Sequence, residues 1–228
     1  MTFTTAIFDF NGTIFWDSEI NYEAWNKCFC RWIGTPFNLA DYRRLNGRTS
    51  KETIEQVYLG ANKPCPSFTS IELMVQEKEE AYWGALESRS SLNLAPGLAS
   101  LLTYLREHNI RLAIATSATR QAIKRYNQYL HLTDYFDPTL IITNDGNFKS
   151  KPSPQIYEQA VAMTGTPACR CVVFEDTQSG IESASAAKCG YIVAVTGDAC
   201  DPQTIRALPT VSLAISDYNQ LDRTLFSI

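Results

Sequence analysis

The chain has 228 residues, 45% of them apolar and 19% charged, with a net charge of -4 at pH 7. That composition fits a soluble globular protein with a substantial core, long enough for one large domain with a smaller one inserted. The acidic balance offers no basic field for nucleic acid or anionic lipid, and no apolar run is long enough to span a membrane.

The chain opens with MTFTTAIFDF, which lacks the cationic region and cleavage site of a secretory signal and reads as a first strand near 6–10. That strand delivers Asp9 into a tight turn, Asp9-Phe10-Asn11-Gly12-Thr13, in which Asn-Gly is a strong turn former. From about 16 to 92 no strand is expected. Tyr22, Trp25, Phe29, Trp32 and Ile33 recur at helical spacing, and Ile71 through Leu86 repeats the pattern with EKEE on its wet face. Thr49-x-x-Glu52 and Thr69-x-x-Glu72 read as capping boxes, each opening a helix. The segment 16–92 is therefore expected to be a small helical domain inserted after the first strand. Pro96-Gly97 marks the turn back into the main domain.

Beyond residue 96, helix and strand alternate. GLASLLTYLREH (97–108) is helical, and strands are expected at 110–116, 139–143, 171–176, 191–196 and 211–216. Their nearly unbroken apolar character suits parallel strands covered on both faces. Ser153-Pro154 reads as a helix cap followed by a first-turn proline, Ser179-x-x-Glu182 as a capping box and Gly190 as a helix C-terminal glycine. The expected fold is α/β: a doubly wound, Rossmann-like parallel sheet core from 1–15 and 93–228, with the α-helical cap 16–92 inserted. The seven cysteines (Cys28, Cys30, Cys65, Cys169, Cys171, Cys189 and Cys200) are expected to be reduced thiols in a cytoplasmic protein. His108 and His131 are read as surface or structural.

Open α/β sheets bind ligands at the carboxyl ends of their strands, so the polar residues that end each strand carry the functional reading. These are Asp9, then Thr116-Ser117, then Lys149 and Lys151 in a loop, then Glu175-Asp176. Carboxylates and water make a hard-oxygen Mg²⁺ site. A lysine, hydroxyls and the N–H groups of a glycine turn can cradle phosphate oxygens. Asp9 remains as a carboxylate nucleophile able to form an aspartyl-phosphate.

Over essentially the whole chain these residues resemble the haloacid dehalogenase superfamily. Its four motifs are matched by Asp9-Phe10-Asn11-Gly12-Thr13, by Thr116 in LAIATSA, by Lys151 in KSKPSP and by Glu175-Asp176 in VVFEDTQSGI. FEDTQSGIESASAAKCG after KPSPQIYEQA looks like the subgroup of β-phosphoglucomutase-like enzymes and small sugar-phosphate phosphatases. The resemblance implies that Asp9 is the nucleophile and a Mg²⁺ ligand. The Asn11 carbonyl and Asp176 are further ligands, and Glu175 beside Asp176 is counted with them in the metal site. Thr116 and Lys151 hold the transferring group, helped by the backbone N–H of Ser117 and the turn at Gly12. In Asn46-Gly47-Arg48-Thr49-Ser50-Lys51, Arg48 and Lys51 are the candidates for gripping substrate.

One position departs from the pattern. The family's phosphatases and phosphomutases carry a proton-transferring aspartate where this chain has Asn11. An amide neither gives a proton nor acts as a base, a loss worth about 10²–10⁴ in rate, or roughly 3–5 kcal/mol of barrier. Three origins stay open: an engineered aspartate, a natural change in an enzyme with another base or in a binding protein, and deamidation of Asn-Gly. Metal-free dehalogenases of the family also lack the second aspartate, but Glu175-Asp176 argues against that reading. Phosphonatases lack it too and use a cap lysine, which Lys51 approaches with a one-residue offset. The expectation is a monomeric, Mg²⁺-dependent phosphohydrolase of a small phosphorylated metabolite with impaired turnover. Its rivals are a silent phosphometabolite-binding protein, a phosphomutase and a phosphonatase.

Overall fold

The computed structural model describes residues 2–89, 91–199 and 201–226, so the reading of Cys200 lies outside the described residues. The chain divides into two compact units, one of residues 1–16 and 93–228, the other of residues 17–92.

The larger unit holds six parallel strands: β1 (Thr5–Phe8), β2 (Arg111–Thr116), β3 (Ile141–Thr143), β4 (Cys171–Glu175), β5 (Tyr191–Val195) and β6 (Leu213–Ile215). Their order is β3-β2-β1-β4-β5-β6, the doubly wound arrangement that reverses direction beside β1. β1 is buried along its whole length, as a central parallel strand requires. On one face Ile7, Ala113 and Val173 pack with Ile156, Tyr157 and Ala160, and with Ile181 and Ala184. On β1 and β4, Phe8 stacks on Phe174 with ring centroids 4.5 Å apart. Phe8 pairs with both Ile114 and Phe174, so β2 and β4 run on past the end of β1, to Thr116 and Glu175, on either side of Asp9.

The smaller unit consists of α1 (Ser18–Ile33), α2 (Leu39–Leu45), α3 (Ser50–Gly60) and α4 (Phe68–Glu87), with no strand among its described residues. Trp25, Phe29 and Ile33 are buried on α1. Thr49 caps α3 by accepting from the Glu52 N–H, as the sequence pattern indicates. Helix α4 is instead capped by Ser67, which accepts from the Ser70 N–H, and Thr69 lies inside the helix. No helix among the described residues is long and apolar enough to cross a membrane.

Between the strands run α5 (Leu98–Glu107), α6 (Arg120–Leu130), α7 (Gln155–Thr164), α8 (Gln178–Ala186) and α9 (Pro202–Arg206). Three local expectations are corrected here. Pro154 itself occupies the cap position of α7, so Ser153 does not cap it. Thr177, not Ser179, caps α8, accepting from the Gly180 N–H at 3.1 Å. The left-handed residue after α8 is Lys188, φ 63°, not Gly190. Gly190 is needed for space instead, because a Cβ there would lie 2.0 Å from the Cys169 carbonyl oxygen.

Candidate active site

The site begins where β1 stops. The Asp9 N–H still donates to Phe174 O at 3.0 Å, which fixes the residue beside the end of β4. The chain then turns tightly: Phe10 O accepts from the N–H groups of Thr13, Ile14 and Phe15 at 3.3, 2.8 and 3.0 Å. Gly12 sits at φ +81°, and a Cβ on it would fall 2.1 Å from Asp176 Oδ2. Both the backbone conformation and the space therefore require glycine. Thr13 Oγ1 donates to Asp176 Oδ1 at 3.0 Å, tying the turn to the end of β4. Thr116 closes β2, its hydroxyl accepting from the Ala118 N–H at 3.1 Å, with Ser117 next in line.

Lys151 enters from the loop after β3 and is 2% exposed. Its Nζ lies 2.5 Å from Asp9 Oδ1 and 2.5 Å from Glu175 Oε1, with Ala115 O and the Tyr157 hydroxyl each at 3.4 Å. Glu175 accepts from five protein donors. Lys151 and Tyr157 share Oε1, while the Asp176 N–H, the Thr177 N–H and Thr177 Oγ1 share Oε2. Asp176 has one committed oxygen and one, Oδ2, that is buried without a hydrogen-bond partner.

These distances explain the electrostatics. Burial, and behind it Glu175, push the Asp9 carboxyl up to about 7 against the pull of Lys151. Burial and the charges of Glu175 and Asp9 hold Asp176 well above the usual carboxylate range. Burial alone would lower the Lys151 ammonium, but Asp9 and Glu175 outweigh it and keep it above its ordinary value. Oxygens of Asp9, Glu175 and Asp176 all lie within 4.8 Å of one another. Three buried carboxylates face one ammonium, which leaves two negative charges unmatched when all are ionised. That charge, the all-oxygen donor set and the orphaned Asp176 Oδ2 fit a hard divalent cation such as Mg²⁺.

A family profile described as haloacid dehalogenase-like hydrolase matches residues 6–194. The chain belongs to this family. It is 30% identical over 187 residues to β-phosphoglucomutase of Bacillus subtilis, covering 80% of this chain and 79% of that protein. It is 27% identical over 209 residues to a phosphorylated carbohydrates phosphatase of Thermotoga maritima, covering 91% and 92% of the two chains. Among solved structures, a family IA, variant 3 hydrolase from Entamoeba histolytica superposes with a TM-score of 0.85 at 32% identity, covering 99% of this chain and 97% of the other.

Within this hydrolase fold, the larger unit brings together Asp9, Gly12, Lys151, Glu175 and Asp176 at one edge of the sheet, with Thr116 and Ser117 at the end of the neighbouring strand. The Asn11 side chain donates from Nδ2 to the Tyr126 hydroxyl of α6 at 3.1 Å. Arg48 and Lys51 belong to the helical unit. Arg48 Nε is buried there without a hydrogen-bond partner. Lys51 Nζ is 4.0 Å from Glu55 and 5.2 Å from the Phe68 ring centroid. Sequence reasoning missed Tyr157, Thr177 and Gly180, which build the surroundings of Glu175, and Tyr126. Tyr157 carries an apolar helical pattern, so its spacing alone marks it as core.

Proposed function

We propose that this chain is a Mg²⁺-dependent phosphohydrolase scaffold for a small phosphorylated metabolite, a sugar phosphate or similar monoester, working through an aspartyl-phosphate on Asp9. The observation that carries the reading is the meeting of Asp9, Lys151 and the half-satisfied Asp176 at the carboxyl edge of the sheet. Relatives whose names specify phosphorylated carbohydrates support the substrate class.

In this reading Asp9, Asp176 and the Asn11 carbonyl would hold Mg²⁺. Glu175 stands beside them with its oxygens already given to protein donors, and it serves Lys151. The cation would offset repulsion between a carboxylate nucleophile and an anionic substrate. An Asp9 carboxylate oxygen would attack phosphorus as the ester P–O bond breaks and the alcohol leaves, and water would then cleave the aspartyl-phosphate to free Asp9 and phosphate. Lys151, Thr116 and the N–H groups near Ser117 and Gly12 receive the phosphoryl oxygens, and Arg48 and Lys51 grip the remainder of the substrate. Asn11 cannot protonate the leaving oxygen or activate water, so binding outlasts turnover. Attack of water on the phospho-enzyme suffers for every substrate, whereas the first step suffers less for a good leaving group. The same proposal places the chain in the cytoplasm as a monomer, in keeping with its six described free cysteines.

Asn11 also favours a second reading, a silent phosphometabolite-binding protein. Mg²⁺-dependent phosphate release from sugar and nucleotide monophosphates separates the two, with the chain run beside Asn11→Asp and residue 11 checked for deamidation by peptide mass spectrometry. Turnover by Asn11→Asp, abolished when Asp9→Asn is added, supports the hydrolase. Silence in both proteins with phosphate binding intact supports the binder. Equal turnover with and without Asn11→Asp refutes the account of Asn11.

A further inference from the structure

We propose that Tyr157 is a positioning residue for Lys151, acting through Glu175. The inference rests on the reading of Lys151 as a phosphate-holding group and goes beyond it by naming what fixes the lysine. Tyr157 lies on α7 and is wholly buried, at 0% exposure. Its hydroxyl donates to Glu175 Oε1 at 2.8 Å. Lys151 Nζ reaches that same oxygen at 2.5 Å and the Tyr157 hydroxyl at 3.4 Å, so the three atoms form a closed triangle. The ammonium also stands over the Tyr157 ring, 5.0 Å from its centroid.

The carboxylate in this triangle cannot move to follow the lysine. Its other oxygen is held by the Asp176 N–H, the Thr177 N–H and Thr177 Oγ1. Gly180 makes the placement possible, because a Cβ there would lie 1.8 Å from Glu175 Oε1. Lys151 is therefore the mobile member, suspended between Glu175 and Asp9 at 2.5 Å from each. The Tyr157 hydroxyl takes a share of Oε1 and fills the space beside Nζ. Without it, Oε1 has the ammonium as its single donor, and the vacated space adjoins Nζ. Lys151 then recentres on Glu175 and withdraws from Asp9, where a phosphoryl oxygen would arrive.

Tyr157→Phe keeps the ring and removes only the hydroxyl, and Glu175 retains four donors, so the fold is not at stake. Crystal structures of the chain and of Tyr157→Phe locate Nζ. Titrations with Mg²⁺ alone, and with inorganic phosphate at saturating Mg²⁺, measure the two ligands separately. The expected result is an Nζ displaced beyond hydrogen-bond reach of Asp9, with phosphate affinity lower by about fivefold, the size of one ordinary hydrogen bond. Mg²⁺ affinity does not fall, because an ammonium drawn off Asp9 repels the cation less. An unmoved Nζ overturns the inference whatever phosphate does. A parallel fall in both affinities also overturns it, since that marks general loosening. An Nζ that moves in a protein that binds no phosphate leaves Tyr157 its positioning role and removes the phosphohydrolase reading instead.

Discussion

The carboxylate cluster makes a definite statement about protons and Mg²⁺. Burial and Glu175 raise the Asp9 carboxyl from 3.8 to about 7. A carboxyl raised on folding keeps a proton that the unfolded chain has already lost. Its contribution to metal-free stability is therefore largest in acid and falls as pH rises from 3.8 through about 7. The full displacement is worth roughly 4 kcal/mol, and roughly 3 kcal/mol of it is lost between about pH 5 and pH 8. Asp176, raised in the same direction, steepens the fall. On the proposed reading Mg²⁺ would take the place of these protons, so its affinity should rise about tenfold per pH unit until the Asp9 carboxyl has ionised, an increment of about 1.4 kcal/mol per unit. Calorimetric Mg²⁺ titrations near pH 6 in two buffers of different ionisation enthalpy should report about one proton or more released per ion, and the Asp9 share of that release should disappear well above pH 7. Urea denaturation with a chelator and with excess Mg²⁺ should give curves that diverge as pH rises. Mg²⁺ binding without proton release, or metal-free stability that is flat across this window, refutes the argument from burial. Asp9→Asn should remove the Asp9 part of the slope.

Other perturbations test individual contacts. Gly12→Ala imposes a side chain at φ +81° and 2.1 Å from Asp176 Oδ2, so it should displace Asp176 and weaken Mg²⁺ by tenfold or more on the scale of about 1–2 kcal/mol of backbone strain alone. Unchanged metal titration would remove Asp176 from the ligand set. Lys151→Met takes the only ammonium from between two buried carboxylates and should cost about 3–5 kcal/mol in chelator, partly recovered by Mg²⁺, as read by denaturant midpoint. Arg48→Ala removes a group whose Nε has no protein partner, so stability should change by less than about 1 kcal/mol. KM for a sugar phosphate in an Asn11→Asp background should rise several-fold, and an unchanged KM on every substrate would exclude Arg48 from substrate contact.

The architecture was readable because its signals are local and repeated. The apolar runs at 171–176 and 191–196 stand as β4 and β5, and the strand ends carry the residues expected of them. Helix starts were less legible, since several hydroxyl residues compete in each loop. Ser67 wins over Thr69, and Thr177 over Ser179, because the backbone at the winner is extended and reaches the right N–H, a matter of a single ψ angle. Tyr157 was hidden for another reason. A tyrosine in an apolar helix looks the same whether its hydroxyl meets water or a buried glutamate, and only the packing of α7 against β2 and β3, within reach of Glu175, decides it.

Charge gives Asn11 a meaning beyond lost chemistry. The edge of the sheet already carries one ammonium against three carboxylates, two of them driven toward protonation by burial. An aspartate at position 11 would add a fourth negative charge beside Asp9. The asparagine instead gives its side-chain N–H to the Tyr126 hydroxyl and leaves its backbone carbonyl in the same turn. On the proposed reading, a scaffold with an amide here loses the group that moves protons, yet repels an arriving phosphate less. Tighter phosphate binding and slower turnover would then share one cause, and the two properties should change in opposite directions when Asn11 becomes aspartate.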